Sequence, residues 1–219
     1  MKPHFVKNYY SKMFGGIWDR KLFTWKELET LINIRPLMTT KRVWILGSSD
    51  EYEWVTSGWS LDNNCYPPSL LKNLLDTYAC YLSDMSRSTK KINDVANHLE
   101  EEFNLDSDAH IYISRRIDID HPFGIHFDKN HNVIIQCEGQ TNFKVWNEFT
   151  GDVVTAFKNG MNTRLTMSNE PILDVDMRPG DAIWIPKYYP HLATSKTQRM
   201  SVSFPLKYGL KQPREWIEL

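Results

Sequence analysis

Apolar positions change their spacing along the chain. Up to about residue 105 they recur with a helical period, and beyond it they alternate in short bursts. Thr24-Trp25-Lys26-Glu27 has the S/T-x-x-E form of a capping box, in which hydroxyl and carboxylate satisfy backbone N–H groups across a first turn. It predicts a short helix through Leu28, Leu31 and Ile32. Pro67-Pro68-Ser69 opens a second helical stretch, with Leu71, Leu75, Tyr78 and Leu82 on one face. A third carries Ile92, Val95, Ala96, Leu99 and Phe103 as its apolar stripe, and Glu100 to Glu102 at its end read as solvated surface.

From His110 onward the pattern is that of short strands. Candidates are His110–Arg115, Gly124–Asp128, Val133–Cys137, Phe143–Trp146, Asp152–Phe157, Arg164–Met167, Ile172–Met177, Ala182–Ile185 and Met200–Phe204. Glu138-Gly139, Thr150-Gly151, Asn159-Gly160 and Pro179-Gly180 supply turns between them. Many short strands at regular spacing predict a sandwich or jelly roll. The expected architecture is mainly β with an α annex, in a single domain spanning 1–219. Residues 106–205 form the barrel, helices from 1–105 cover one of its sheets, and 206–219 make a tail. No Gly/Ser/Pro-rich linker separates the halves.

Composition narrows the function classes. A chain of 219 residues buries a substantial core. Its 26 basic and 27 acidic side chains leave a net charge of -1, so no single-signed field points to nucleic acid or an anionic membrane. Cys65, Cys80 and Cys137 are odd in number and lack C-x-x-C spacing, which fits a reducing compartment. Met1 to Tyr10 lacks the apolar core of a signal peptide, and no apolar run approaches the ~20 residues that span a bilayer. The expectation is a soluble cytoplasmic protein.

Three positions carry the candidate chemistry. His126-Phe127-Asp128 is an H-x-D triplet, and residues i and i+2 of a strand point to the same face. His191 lies far along the chain, after Pro186-Lys187-Tyr188-Tyr189-Pro190. Two histidines and one carboxylate form the facial triad that binds non-haem Fe(II) and leaves positions open. Alone, an H-x-D is an ordinary coincidence, and His126 an ordinary structural histidine; the spacing around it is what singles it out. Asp118, Asp120 and His121 read as a loop at the rim, and Trp54 and Trp59 as core anchors or cleft lining.

That spacing resembles the cupin superfamily. Three residues separate Asp128 from Asn132 and six more lead to Gly139, as in the first cupin motif with Asp for its second His and Asn for its Glu. Five residues separate Gly180 from Pro186, with His191 five positions later, as in the second motif with Tyr188 at its usual Gly. The run from Gly124-Ile125-His126-Phe127-Asp128 through Gln136-Cys137-Glu138-Gly139 to Lys144-Val145-Trp146 looks like JmjC-related hydroxylases. So does Met177-Arg178-Pro179-Gly180-Asp181 leading to Ile185-Pro186 and Pro190-His191.

The resemblance covers roughly residues 106–205. It implies a double-stranded β-helix with Fe(II) held by His126, Asp128 and His191, and 2-oxoglutarate converted to succinate and CO2 as O2 is consumed. The substrate would be a protein side chain or a small metabolite. The distal carboxylate of 2-oxoglutarate needs a cationic partner. Where those hydroxylases place a Lys or Arg after the Gly, this chain has Thr141, and Lys144 falls on the opposite face of an unbulged strand. Arg199, in Arg199-Met200-Ser201, is the better candidate, with Ser201 and Thr141 assisting, and it resembles the R-x-S of another oxygenase branch. Asn132 occupies a position that contacts the co-substrate in some hydroxylases. A cupin metalloenzyme without 2-oxoglutarate, a zinc hydrolase and a non-catalytic cupin binding module are the competing readings.

Overall fold

The computed structural model describes residues 2–14, 21–34, 38–39, 42–46, 65–117, 119–120, 123–147, 167 and 169–207. Its strands are β1 (His4–Val6), β2 (Val43–Leu46), β3 (Ala79–Leu82), β4 (Asp106–Ser107), β5 (His110–Ser114), β6 (Ile119–Asp120), β7 (His131–Glu138), β8 (Thr141–Val145), β9 (Leu173–Met177), β10 (Ala182–Ile185), β11 (His191–Ser195) and β12 (Arg199–Lys207). The helices are α1 (Tyr9–Phe14), α2 (Trp25–Leu31), α3 (Pro68–Thr77) and α4 (Lys90–Phe103). A larger antiparallel sheet runs β1-β10-β7-β12-β5-β3-β2, with β4 also paired to β12, and a smaller one runs β6-β11-β8-β9.

The period-2 rule of strands builds the layers. Along β7, Val133, Ile135 and Cys137 point to the helices, where they meet Leu71 and Leu75 of α3 and Ile92, Val95 and Leu99 of α4. Ile134, on the opposite face, packs with Ile183 and Ile185 against Phe143, Val145, Met177 and Ala193 of the smaller sheet. The result is helices on one face of a two-sheet jelly roll, the expected fold class.

Local chemistry sets the helix ends. The capping box forms as expected: Glu27 N donates to Thr24 Oγ1 (3.2 Å) and Thr24 N to Glu27 Oε2 (2.8 Å). Thr89 caps α4 through Ile92 N (3.2 Å), and Asn104 ends it in the left-handed conformation. The stripe of α3 is shorter than the sequence pattern suggests. The helix stops at Thr77, Tyr78 turns extended, and Leu82 lies in β3. Leu82 is four residues after Tyr78 and two after the buried Cys80, so helical and strand periods coincide at that position.

Strands beyond those anticipated come from both halves of the chain. β1, β2 and β3 precede residue 105 and extend the larger sheet at its two ends. β11 follows the distal histidine in a polar stretch, His191-Leu192-Ala193-Thr194-Ser195, that carries little hydrophobic signal. β12 runs on to Lys207, two residues into the expected tail. The candidate strand Asp152–Phe157, most of Arg164–Met167, the turns at 150–151 and 159–160, Trp54, Trp59, Asp118, His121 and residues 208–219 lie outside the described residues. Among the described residues no helix is long and apolar enough to cross a membrane.

Two contacts tie distant parts of the chain to the site. Asn8 N donates to Asp181 Oδ1 (2.8 Å) and Tyr10 N to the Gly180 carbonyl (3.1 Å), stitching the N-terminal segment to the turn before β10. Gly139 adopts φ +66, and a Cβ there would collide with the Gln198 carbonyl, so the β7–β8 turn requires glycine to nest against the β11–β12 turn.

Candidate active site

A pocket of about 390 Å³, open mouth included, lies between the two sheets. His126, Asp128 and His191 line it, with Tyr112, Phe123, Phe143, Arg199 and Ser201 among the other walls. One potential ligand atom from each of His126, Asp128 and His191 lies within 4.8 Å of the others.

The backbone brings these three residues together without a regular strand at the triplet. His126 makes an isolated bridge to His191, where the sequence pattern predicts a strand over Gly124–Asp128. His126 N donates to the His191 carbonyl (3.1 Å), His191 N to that of His126 (2.8 Å), and Tyr188 N to that of Asp128 (2.8 Å). Tyr188 takes φ 66, the left-handed conformation that suits the glycine usual at this motif position. Its N–H contact to Asp128 and its ring contact with Phe127 hold it there.

Each imidazole is oriented by one carbonyl. His126 Nδ1 lies 3.0 Å from Gly124 O, and His191 Nδ1 lies 3.0 Å from Tyr189 O. A carbonyl only accepts, so Nδ1 carries the proton and Nε2 offers its lone pair. Burial, with His126 adding to it, drives the His191 imidazole down to about 4. His191 is therefore neutral at neutral pH, and its 3.7 Å approach to Asp128 Oδ2 is not an ion pair. Two lone pairs and a carboxylate converge from one side, and a gap of that size is bridged by an ion with bonds of about 2 Å. This donor set fits a divalent transition metal with open positions.

Arg199 sits in the same pocket with 2% of its surface exposed. Its Nε donates to Ser195 Oγ (2.9 Å) and one terminal nitrogen to Ser201 Oγ (3.2 Å). Burial lowers its pKa to about 10, partly offset by Tyr112, so it stays charged at neutral pH. Among the described residues no carboxylate pairs with it. Thr141 stands opposite Ser195 in the β8–β11 ladder, its hydroxyl buried and unpartnered. Lys144 points to the outer face, 3.9 Å from Asp174, as the strand parity anticipates. Asp120 is on that outer side too, accepting from Thr194 Oγ1 (2.6 Å). Asn132 turns its amide toward Asp128.

Sequence reasoning overlooked several wall residues. Tyr112 alternates with Ile111 and Ile113, which face the helices, so only the direction of the sheet reveals that it faces the pocket. Tyr81 stacks on Tyr112 (5.4 Å) and Trp44 on Tyr81 (5.8 Å), a cross-strand ladder leading away from the site. Ser195 and Ser203 were detectable only as the period-2 partners of residues already singled out.

The JmjC domain profile matches residues 85–213, more than half of the chain. The protein belongs to the JmjC domain family. This JmjC domain is 22% identical over 151 residues to the bifunctional lysine-specific demethylase and histidyl-hydroxylase NO66 of Drosophila grimshawi, covering 69% of this chain and 21% of that protein. It is 27% identical over 97 residues to ribosomal oxygenase 1 of Danio rerio, covering 44% and 18%. The chain thus spans about a fifth of the length of these relatives. Among solved structures, YcfD, a ribosomal oxygenase from Escherichia coli in complex with cobalt and 2-oxoglutarate, superposes with a TM-score of 0.59. At 16% identity, over 95% of this chain and 49% of that one, the likeness establishes the shared fold.

Proposed function

We propose that this JmjC domain is an Fe(II)- and 2-oxoglutarate-dependent oxygenase that hydroxylates a protein side chain. The observation that carries the proposal is the buried guanidinium of Arg199, paired with no carboxylate among the described residues, in the pocket that also holds the His126, Asp128 and His191 donors. A metal-binding face and an unpaired buried cation in one cavity suit a 2-oxo acid that also bears a distal carboxylate. With Fe(II) bound, the site would use O2 as the oxidant and 2-oxoglutarate as the two-electron co-reductant, one oxygen atom going to succinate as CO2 is lost and the other into a C–H bond of the substrate.

The chain's own residues bind and orient. His126 and His191 would offer Nε2 to the ion, and Asp128 a carboxylate oxygen. Arg199 anchors the distal carboxylate, Ser195 and Ser201 hold the guanidinium, and the Thr141 hydroxyl is free to join it. Ile134, Phe143 and Ala193 wall the cavity with apolar surface that excludes water. The names of the curated relatives, a histidyl-hydroxylase and a ribosomal oxygenase, support a protein as substrate. A cytoplasmic location belongs to the same proposal and is supported by Cys80 and Cys137, which stand as buried, unbridged thiols. So does the division into a barrel over 106–205 and its cover, supported by helices that pack on the barrel's larger sheet.

The test is an anaerobic titration of the Fe(II) protein with 2-oxoglutarate, watched for the visible charge-transfer band of the chelate, then exposure to O2 with succinate measured. The parent should develop the band and release succinate. A folded His126→Ala, His191→Ala double variant should bind no iron and show neither. A parent that binds iron without a band and forms no succinate would remove the oxygenase reading.

A further inference from the structure

We infer that Asn132 is the positioning residue that aims the Asp128 carboxylate at the metal, and that Ser203 in turn fixes Asn132. The inference rests on the metal reading of His126, Asp128 and His191 and concerns how that site is held. Asp128 lies outside the ladders, and its side chain is 42% exposed at the pocket, so the backbone alone leaves its carboxylate free to rotate. One short contact removes that freedom: Asn132 Nδ2 donates to Asp128 Oδ2 at 2.6 Å.

Chemistry fixes the direction of this contact. An ionised carboxylate only accepts, so the amide must present its NH2 to Asp128 and its oxygen elsewhere. That oxygen accepts from Ser203 Oγ at 3.3 Å. Asn132 is 6% exposed and Ser203 4%, so both act from rigid, largely dry positions. Asn132 is clamped in β7 between Ile185 of β10 and Pro205 of β12. The file Ser203–Asn132–Asp128 thus runs from the middle of the larger sheet to a carboxylate on a loop. Outer partners that orient a metal-binding carboxylate typically matter about ten- to a hundredfold in metal affinity. A direct contact between Asn132 and the co-substrate, the role its motif position suggests, would leave affinity for the metal alone untouched.

The experiment separates the two roles. Co(II) is titrated anaerobically into the 219-residue chain without 2-oxoglutarate and followed by its visible absorption. 2-Oxoglutarate is then titrated into each metal-loaded protein. Asn132→Ala should bind Co(II) about ten- to a hundredfold more weakly and show an altered visible band. Ser203→Ala should shift affinity in the same direction by less, and Ser203→Thr, which keeps the hydroxyl, should restore it. Urea midpoints of the metal-free proteins accompany the titrations. If Asn132→Ala does not fold, the Ser203 pair decides. Parent-like Co(II) binding in a folded Asn132→Ala, with the His126→Ala, His191→Ala double variant silent, overturns the inference and leaves the metal site standing. Weakened 2-oxoglutarate binding with unchanged Co(II) affinity overturns it in favour of a co-substrate contact. A parent that binds Co(II) no better than the double variant overturns the metal reading and this inference together.

Discussion

Arg199 shows how a single residue can be costly to the fold and still belong to it. A buried guanidinium satisfied by serine hydroxyls, with no counter-charge among the described residues, carries a desolvation penalty that folding alone does not recover. Arg199→Met keeps the volume and removes the charge. The ligand-free variant should melt at or above the parent temperature, since replacing buried charge with apolar bulk is often neutral or stabilising by about 1–4 kcal/mol. Its affinity for 2-oxoglutarate should fall on the order of a hundredfold or more, because a lost buried charge partner is worth about 3–5 kcal/mol at 1.4 kcal/mol per tenfold. Calorimetry with and without 2-oxoglutarate reads both quantities. A variant less stable than the parent with unchanged affinity would make Arg199 a structural residue. His126, Asp128, His191 and Arg199 were legible in the sequence because motif spacing and charge mark them. Ser195, Ser203 and Tyr112 were not, since serine and tyrosine are ordinary strand residues until the inward face of each strand is known.

At the scale of elements, α4 is the main clamp of the helical layer. Ile92, Val95, Ala96 and Leu99 are fully buried against the larger sheet. Leu99→Ala should cost about 2–5 kcal/mol in urea unfolding, through lost burial and the cavity left behind. Cys80 and Cys137 report where that loss acts. Both lie in the layer beneath the helices, and burial raises both thiols, that of Cys137 to about 12. At pH 8, below those values, the folded protein holds almost no thiolate at either position, so alkylation proceeds only through opening. Peptide-resolved labelling should be slow in the parent and faster at both cysteines in Leu99→Ala, with Co(II) affinity unchanged. Equal labelling rates would mean that the helices open independently of α4. The stripe of α4 and the capping box of α2 were readable because each is a local device confined to a few turns. The end of α3 was not, because Leu82 satisfies two periods at once and strand pairing with β2 and β5 decides between them. β11 was hidden for a related reason: its ladder depends on β8 and β6, which the sequence places far away.

For the whole molecule, the organising feature is a sheet with one face turned to the helical core and the other to the pocket. β7 sends Val133, Ile135 and Cys137 into the helical core, and its other face holds Asn132, Ile134 and Gln136 toward the smaller sheet. β12 does the same, with Met200, Val202 and Phe204 on the helical side and Ser201 and Ser203 in the pocket wall. The stitch from Asn8 and Tyr10 to the Gly180-Asp181 turn joins the chain's start to the approach of the distal histidine. This feature bears on how the family can change. Neighbouring codons along β7 and β12 answer to different selective demands, one for the amount of protein a cell keeps and the next for what that protein does. A saturation library scored for cellular abundance and, in parallel, for turnover should split along these two strands with a period of two. Polar replacements at Ile135, Val202 and Phe204 should deplete the protein itself. Replacements at Ser201 and Ser203 that remove the hydroxyl should leave its level intact and lower its turnover. A pocket face free to vary while the core face stays fixed lets one scaffold acquire new substrates without learning to fold again.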